Sequence, residues 1–183
     1  MRDALAALRP PDARHEAPRR DGRPKALNAL GVLARHPALT KAFNTFNGHV
    51  LFGSTLSSRE RELLILRVAA QRQSDYEWAQ HTVLGQDSGL DVEEIRRVVV
   101  GPDAEGLPEH DRTLLRAADE LVAEATITDE TWAALADVYD EQQLLDLVFT
   151  VGAYDTLAMA FRCFGIELDA DLLGHEMVVA MAP

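Results

Sequence analysis

Ser57-Ser-Arg-Glu-Arg-Glu-Leu-Leu-Ile-Leu-Arg-Val-Ala-Ala70 is the stretch that decides the fold. Ser57 or Ser58 is suited to cap a first turn. Beyond it Leu63, Leu64, Ile65, Leu66, Val68, Ala69 and Ala70 fall on nearly every side of a 3.6-residue repeat. A helix without a polar face has to be buried. A second run, Leu144 to Phe164, includes Phe149, Tyr154, Leu157, Met159 and Phe161 and makes the same demand. Two such helices place one at the centre of a bundle, or leave one for another subunit to cover, and oligomerisation is the economical reading.

Working outward, the punctuation is helical. Asp91-Val-Glu-Glu94 and Asp140-Glu-Gln-Gln143 are capping boxes, each followed by apolar residues. Thr128 or Asp129 opens a helix through Trp132, and Pro108 stands where a first turn would begin. No stretch alternates with period two, and the β-branched run Val98-Val-Val100 ends at once in Gly101-Pro102. The expectation is an all-α bundle of about seven or eight helices.

A chain of 183 residues, 47% hydrophobic and 26% charged, has one domain's worth of material and a real core. No run approaches the roughly 18 apolar residues of a membrane span, and no apolar stretch follows the basic amino terminus, so neither a span nor a secretory signal is expected. The net charge of −12 argues against a nucleic-acid partner, because phosphate neutralisation dominates such binding. The single cysteine, Cys163, allows no disulfide framework within one chain, and the expected location is the cytoplasm. Seven basic against four acidic residues put +3 on residues 1–25 and −15 on the rest. With Pro10, Pro11, Pro18 and Pro24, residues 1–25 read as a flexible basic arm or a strap over a neighbouring subunit. Residues 26–183 form the single domain.

Chemistry concentrates in Ser74-Asp-Tyr-Glu-Trp-Ala-Gln-His81. Glu77 and His81 are four apart and share a helix face, so the carboxylate can fix the tautomer of the imidazole and stabilise its charged form. An imidazole with an ordinary pKa of about 6.5 gives or takes protons near neutrality. Tyr76 and Trp78 stand beside the pair, able to dry the site and orient a substrate oxygen. Other readings remain open: Ser74-x-x-Glu77 is also a capping box, and Glu-x-x-x-His pairs are common on solvated faces. A metal would need further ligands such as His49 or His110, and none is expected. Glu62 is either a surface partner for Arg59 or Arg61 or a buried carboxyl with a raised pKa. Arg67 is the candidate to hold a substrate carboxylate, with Arg72 a poorer one; the alternative for Arg67 is a buried ion pair with a helix acid. His49 is a candidate lining residue.

The blocks Leu56 to Ala70, Tyr76 to His81 and Gly89 to Ile95, with Leu144 to Tyr154 and Phe164 to Leu168 further on, resemble the carboxymuconolactone decarboxylase family over about residues 27 to 170. The other arm of that family is the alkyl hydroperoxidase D group. The resemblance implies an all-α fold whose subunits interlock as homotrimers or homohexamers. In the hydroperoxidase arm a glutamate is followed, after eleven residues, by Cys-x-x-Cys-x-x-x-His. Here Glu62 and His81 match the ends of that motif, but its cysteine positions hold Ser74 and Glu77, so disulfide-cycling peroxidase chemistry is not expected. The decarboxylase arm carries Glu-x-x-x-His, matched by Glu77 and His81.

The resulting expectation is an acid–base enzyme without a cofactor, a decarboxylase-like lyase acting on a small cyclic carboxylic acid or lactone. His81 would donate the proton, Glu77 would orient it and Glu62 would be a second proton carrier. Ser74, Tyr76, Trp78, Arg67 and His49 would contact substrate. Isomerisation, dehydration or lactone hydrolysis would use the same pair, and a non-catalytic oligomeric binding protein is the reading from another class.

Overall fold

The computed structural model describes residues 1–16 and 25–181, and the described residues are helical with no strand. In chain order the helices are α1 (Arg2–Ala6), α2 (Leu27–Leu33), α3 (Pro37–Gly48), a π-helical turn (His49–Gly53), α4 (Ser58–Arg72), α5 (Asp75–Asp87), α6 (Val92–Val100), α7 (Glu109–Glu124), α8 (Asp129–Ala136) and α9 (Glu141–Cys163). Three capping boxes form at Ser57/Glu60, Asp91/Glu94 and Asp140/Gln143. Each satisfies two otherwise orphaned amides and so fixes where its helix starts. Thr128 caps α8, and Pro108 precedes α7 as its cap residue. The β-branched run Val98 to Val100 is the last turn of α6.

α4 is the axis of the bundle, packed against α5, α6, α7 and α9. Leu63, Leu64, Ile65, Leu66, Val68 and Ala69 are all buried, as an all-round apolar helix requires. Three arginines tie its polar positions outward. Arg59 holds Glu94 and Asp111, Arg67 holds Asp119 and the carbonyls of Val98 and Val99, and Arg72 holds Asp155 and the Val122 carbonyl. Gly101, with φ +99°, ends α6 flush against the Arg67 guanidinium, where a Cβ would clash.

α9 is long and apolar enough to cross a membrane by length and composition, yet 56% of its apolar window is buried inside the protein. Leu145, Phe149 and Met159 remain on its exposed side.

The amino-terminal segment departs from the expected free arm. Residues 1–16 are held by their own chain: Ala4 is buried, the Asn44 side chain donates to the Ala4 carbonyl at 2.8 Å, and Gly48 lets the Leu8 carbonyl come close. The amides of Arg14 and His15 both donate to the Phe52 carbonyl. The expectation for residues 17–24 lies outside the described residues. At the other end, irregular chain from Leu168 to Met181 lies along α5, anchored where Gln86 donates to the Met177 carbonyl and Trp78 Nε1 to the Val179 carbonyl.

Candidate active site

α4 and α5 form a hairpin whose tight reversal uses Gln73 in the left-handed conformation, with φ 50°. The hairpin brings two residues nineteen positions apart into contact: His81 Nδ1 and Glu62 Oε2 are 2.7 Å apart. Both are buried, Glu62 at 1% exposure and His81 at 7%. Arg61 reaches back to the other oxygen of Glu62, with Nη2 at 3.2 Å. The Tyr154 ring, on α9, meets the His81 ring edge-to-face at a centroid distance of 4.9 Å.

Burial by itself would push the Glu62 carboxyl up, but His81 and Arg61 together outweigh it and hold Glu62 below the ordinary carboxyl range. Glu62 is therefore an ionised acceptor. An ionised carboxylate offers no donor, so the proton in the contact sits on His81 Nδ1 and leaves Nε2 available for chemistry. The expectation of a raised pKa at Glu62 is thus overturned by its contacts with His81 and Arg61.

Glu77 supplies what Glu62 does not. It is 1% exposed, and neither carboxyl oxygen has a protein hydrogen-bond partner. Burial, reinforced by the nearby negative charge of Asp155, drives its pKa well above the ordinary value and so favours the protonated, uncharged form of Glu77. The expected Glu77–His81 pair does not form: the imidazole has turned to the carboxylate that Arg61 keeps charged. The capping alternative fails too, since Ser74 makes no side-chain cap bond and its buried hydroxyl has no partner.

The other substrate-contact candidates are committed elsewhere. Arg67 is the buried ion pair that was its alternative reading, and its guanidinium is used up on Asp119 and two carbonyls. Tyr76 donates to Asp169 at 2.6 Å and accepts from the Ala29 amide, while Trp78 donates to the Val179 carbonyl. Both line a crevice of about 480 Å³ between α5 and the carboxy-terminal segment instead of the Glu62–His81 centre. His49 lies 2.7 Å from Asp146, which also accepts from the amide and hydroxyl of Thr55; this cluster closes the π-helical turn. Among the described residues no group of three His, Cys, Asp or Glu side chains is placed to hold a metal ion. Cys163 is exposed at the end of α9.

Three residues of the centre escaped the sequence reading, Tyr154, Asn47 and Thr150, while Arg61 was expected only as a surface partner for Glu62. The Asn47 side chain reaches the Tyr154 hydroxyl, whose pKa is raised by burial and by the charge of Glu62. Thr150 lies one turn before Tyr154 on α9, wholly buried. The available signal was polar residues inside the apolar run from Leu144 to Phe164, which places Thr150, Tyr154 and Asp155 where only partnered or functional polar groups belong.

Comparison with known proteins gives the same frame. Residues 37–120 match the carboxymuconolactone decarboxylase family, a segment holding Asn47, Arg61, Glu62, Glu77 and His81 but ending before Thr150 and Tyr154. No curated protein is significantly similar in sequence. Among solved structures, the chain is similar to an alkylhydroperoxidase AhpD core, an uncharacterized peroxidase-related protein from Ralstonia eutropha JMP134, with a TM-score of 0.72 at 17% identity, covering 93% of this chain and 100% of that one. An uncharacterized peroxidase-related protein from Silicibacter sp. TM1040 gives a TM-score of 0.69 at 19% identity, covering 82% and 84%. A protein of unknown function from Agrobacterium tumefaciens gives 0.70 at 20% identity, covering 76% and 96%. At these identities the likeness shows the fold.

Proposed function

We propose, from the premise of a carboxymuconolactone decarboxylase-family segment carried on an alkylhydroperoxidase D-like fold, that this protein is an acid–base enzyme that needs no cofactor, most simply a decarboxylase-like lyase. The observation that carries the reading is the buried 2.7 Å contact between Glu62 and His81, with Arg61 on the far oxygen. An imidazole oriented by a carboxylate at Nδ1 is a proton-transfer unit in which Nε2 does the transfer. In a decarboxylation the bond from carbon to the carboxylate breaks, carbon dioxide leaves, and the electron pair moves into an adjacent carbonyl as an enolate. His81, having taken a proton from solvent at Nε2, gives that proton to the carbon and returns to the neutral ring whose Nδ1–H is held by Glu62. Glu77, whose burial favours its protonated form, is the second proton carrier; the two glutamates exchange the orienting and carrier roles expected of them from the sequence.

Two of the similar structures are peroxidase-related proteins. A dithiol cycle needs two neighbouring thiols. This chain has one cysteine, and Ser74 and Glu77 stand in the motif's cysteine positions. The reading also includes a small-molecule substrate and a homo-oligomer. The exposed apolar residues Leu145, Phe149 and Met159 on one helix support the second.

The test is carbon dioxide release from a panel of small cyclic carboxylic acids and lactones, with Glu62→Gln and His81→Gln alongside the parent protein. The expected result is turnover by the parent and a loss of about a hundredfold or more in each variant, with helicity and thermal stability retained. Turnover that survives both substitutions refutes the reading.

A further inference from the structure

Buried polar atoms normally find partners, so those that do not are informative. Among the described residues six buried side-chain atoms have no protein partner: Asn47 Oδ1, Arg61 Nη1, Ser74 Oγ, Glu77 Oε1 and Oε2, and Thr150 Oγ1. All but the Ser74 hydroxyl belong to residues grouped about Tyr154. Asn47 reaches its hydroxyl, Arg61 and Glu77 act on it through their charge or proximity, and Thr150 is one turn away on the same helix. The group comes from four different helices, so no single local motif accounts for it.

The chemistry of the open valences is uneven. Arg61 spends Nε and Nη2 on Glu62 and keeps Nη1, with its two N–H donors, uncommitted. Thr150 adds a hydroxyl. A guanidinium edge is suited to two oxygens in a plane carrying negative charge, and a hydroxyl one turn from Tyr154 is a further donor for such a group. Arg61 also differs from Arg59, Arg67 and Arg72 on the same helix, each of which pairs with acids or carbonyls of neighbouring helices.

We propose that Arg61 Nη1 and the Thr150 hydroxyl are the specificity-determining contacts of the site, holding a carboxylate on the substrate beside His81. This rests on the acid–base reading of the same centre. It moves the anion-recognising role from Arg67, which the fold consumes, to Arg61, which the fold leaves half-used. Asn47, which reaches the Tyr154 hydroxyl, keeps Oδ1 as an open acceptor for a hydroxyl or N–H on the bound molecule.

The test uses the full chain and two matched pairs of probes, acetate against acetamide and benzoate against benzamide, followed by calorimetry and by the Arg61 Nε–H signal in NMR. The expected result is that the carboxylates bind and the neutral amides bind at least about tenfold more weakly. Arg61→Met removes that preference, and Arg61→Lys keeps part of it because it retains charge without the fork. Thr150→Val weakens carboxylate binding about threefold with the thermal midpoint unchanged or raised, since an unpartnered buried hydroxyl contributes nothing to stability. His81→Gln should bind carboxylate within about threefold of the parent while losing turnover. That variant separates the two claims: turnover surviving in it sinks the acid–base reading and leaves the anion site standing. Carboxylates that fail to bind, bind no better than the amides, or bind unchanged in folded Arg61→Met overturn the proposal. Should Arg61→Met not fold, unchanged binding in both Arg61→Lys and Thr150→Val overturns it equally.

Discussion

Replacing Glu77 by Gln should change how the stability of this protein depends on pH, with a sign and slope set by one proton. In the unfolded chain Glu77 titrates near 4.5, whereas burial and the charge of Asp155 raise it well above that in the folded state. Below 4.5 both states are protonated and the residue contributes no pH dependence. Above it the unfolded state ionises first, unfolding releases a proton, and stability falls as pH rises until the folded-state value is reached. One proton corresponds to about 1.4 kcal/mol per pH unit, so above the unfolded value the parent protein loses up to that much for each pH unit until the folded value is reached. Glu62 does not interfere. Its folded pKa is depressed, so its stabilisation is complete above the unfolded value and is lost only as pH falls through the folded one. Urea unfolding at half-unit pH steps, with the m-value checked for constancy, measures the difference between Glu77→Gln and the parent. That difference should move in favour of the variant as pH rises. Any constant offset from burying an amide leaves the slope untouched. A difference that stays flat from pH 5.5 to 7.5 would mean that Glu77 ionises normally or has a partner, and the argument for an uncharged acid in the core would fail.

Arg67→Met should cost about 1–3 kcal/mol of unfolding free energy, because it leaves Asp119 with only the Gln71 amide and uncaps the end of α6, while leaving carboxylate binding by the folded protein intact. Tyr76→Phe removes a buried hydrogen bond to Asp169 and should cost about 1.5–3 kcal/mol; hydrogen exchange should accelerate from Leu168 to Met181. Light scattering should show the parent protein as an oligomer, and Leu145→Glu with Phe149→Glu should lower its mass without loss of helicity; a monomeric parent refutes the assembly reading.

What the sequence disclosed was whatever local chemistry dictates. The capping boxes at Asp91 and Asp140, and the cap serine at Ser57 or Ser58, marked helix starts because their hydrogen bonds close within four residues. The unbroken apolar character of α4 forced its burial. It also hid the direction in which Glu62 points, since a helix without a polar face has no register to read. Spacing of four put Glu77 and His81 on one face, but it could not weigh the charges around them. Glu62 has Arg61 beside it and Glu77 has Asp155 within electrostatic reach, so the ionised partner that His81 needs is the one across the hairpin. Tyr76 and Trp78 looked like walls of a site because each carries a polar handle. Those handles are taken by Asp169 and Val179 in a carboxy-terminal segment that lacks any periodicity to announce where it packs. Arg67 and Arg61 could not be told apart by type or position; only the partners supplied by α6 and α7 show that one is spent and the other is not.

The most direct test of the account is the protonation pattern of the His81 ring, read from its nitrogen-15 shifts in the parent protein and in the Glu62→Gln and Glu77→Gln variants. The account predicts that in the neutral ring Nδ1 carries the proton, with a strongly deshielded N–H that Glu62→Gln abolishes and Glu77→Gln leaves in place. A neutral ring protonated at Nε2, or a signal that depends on Glu77 and ignores Glu62, would contradict it.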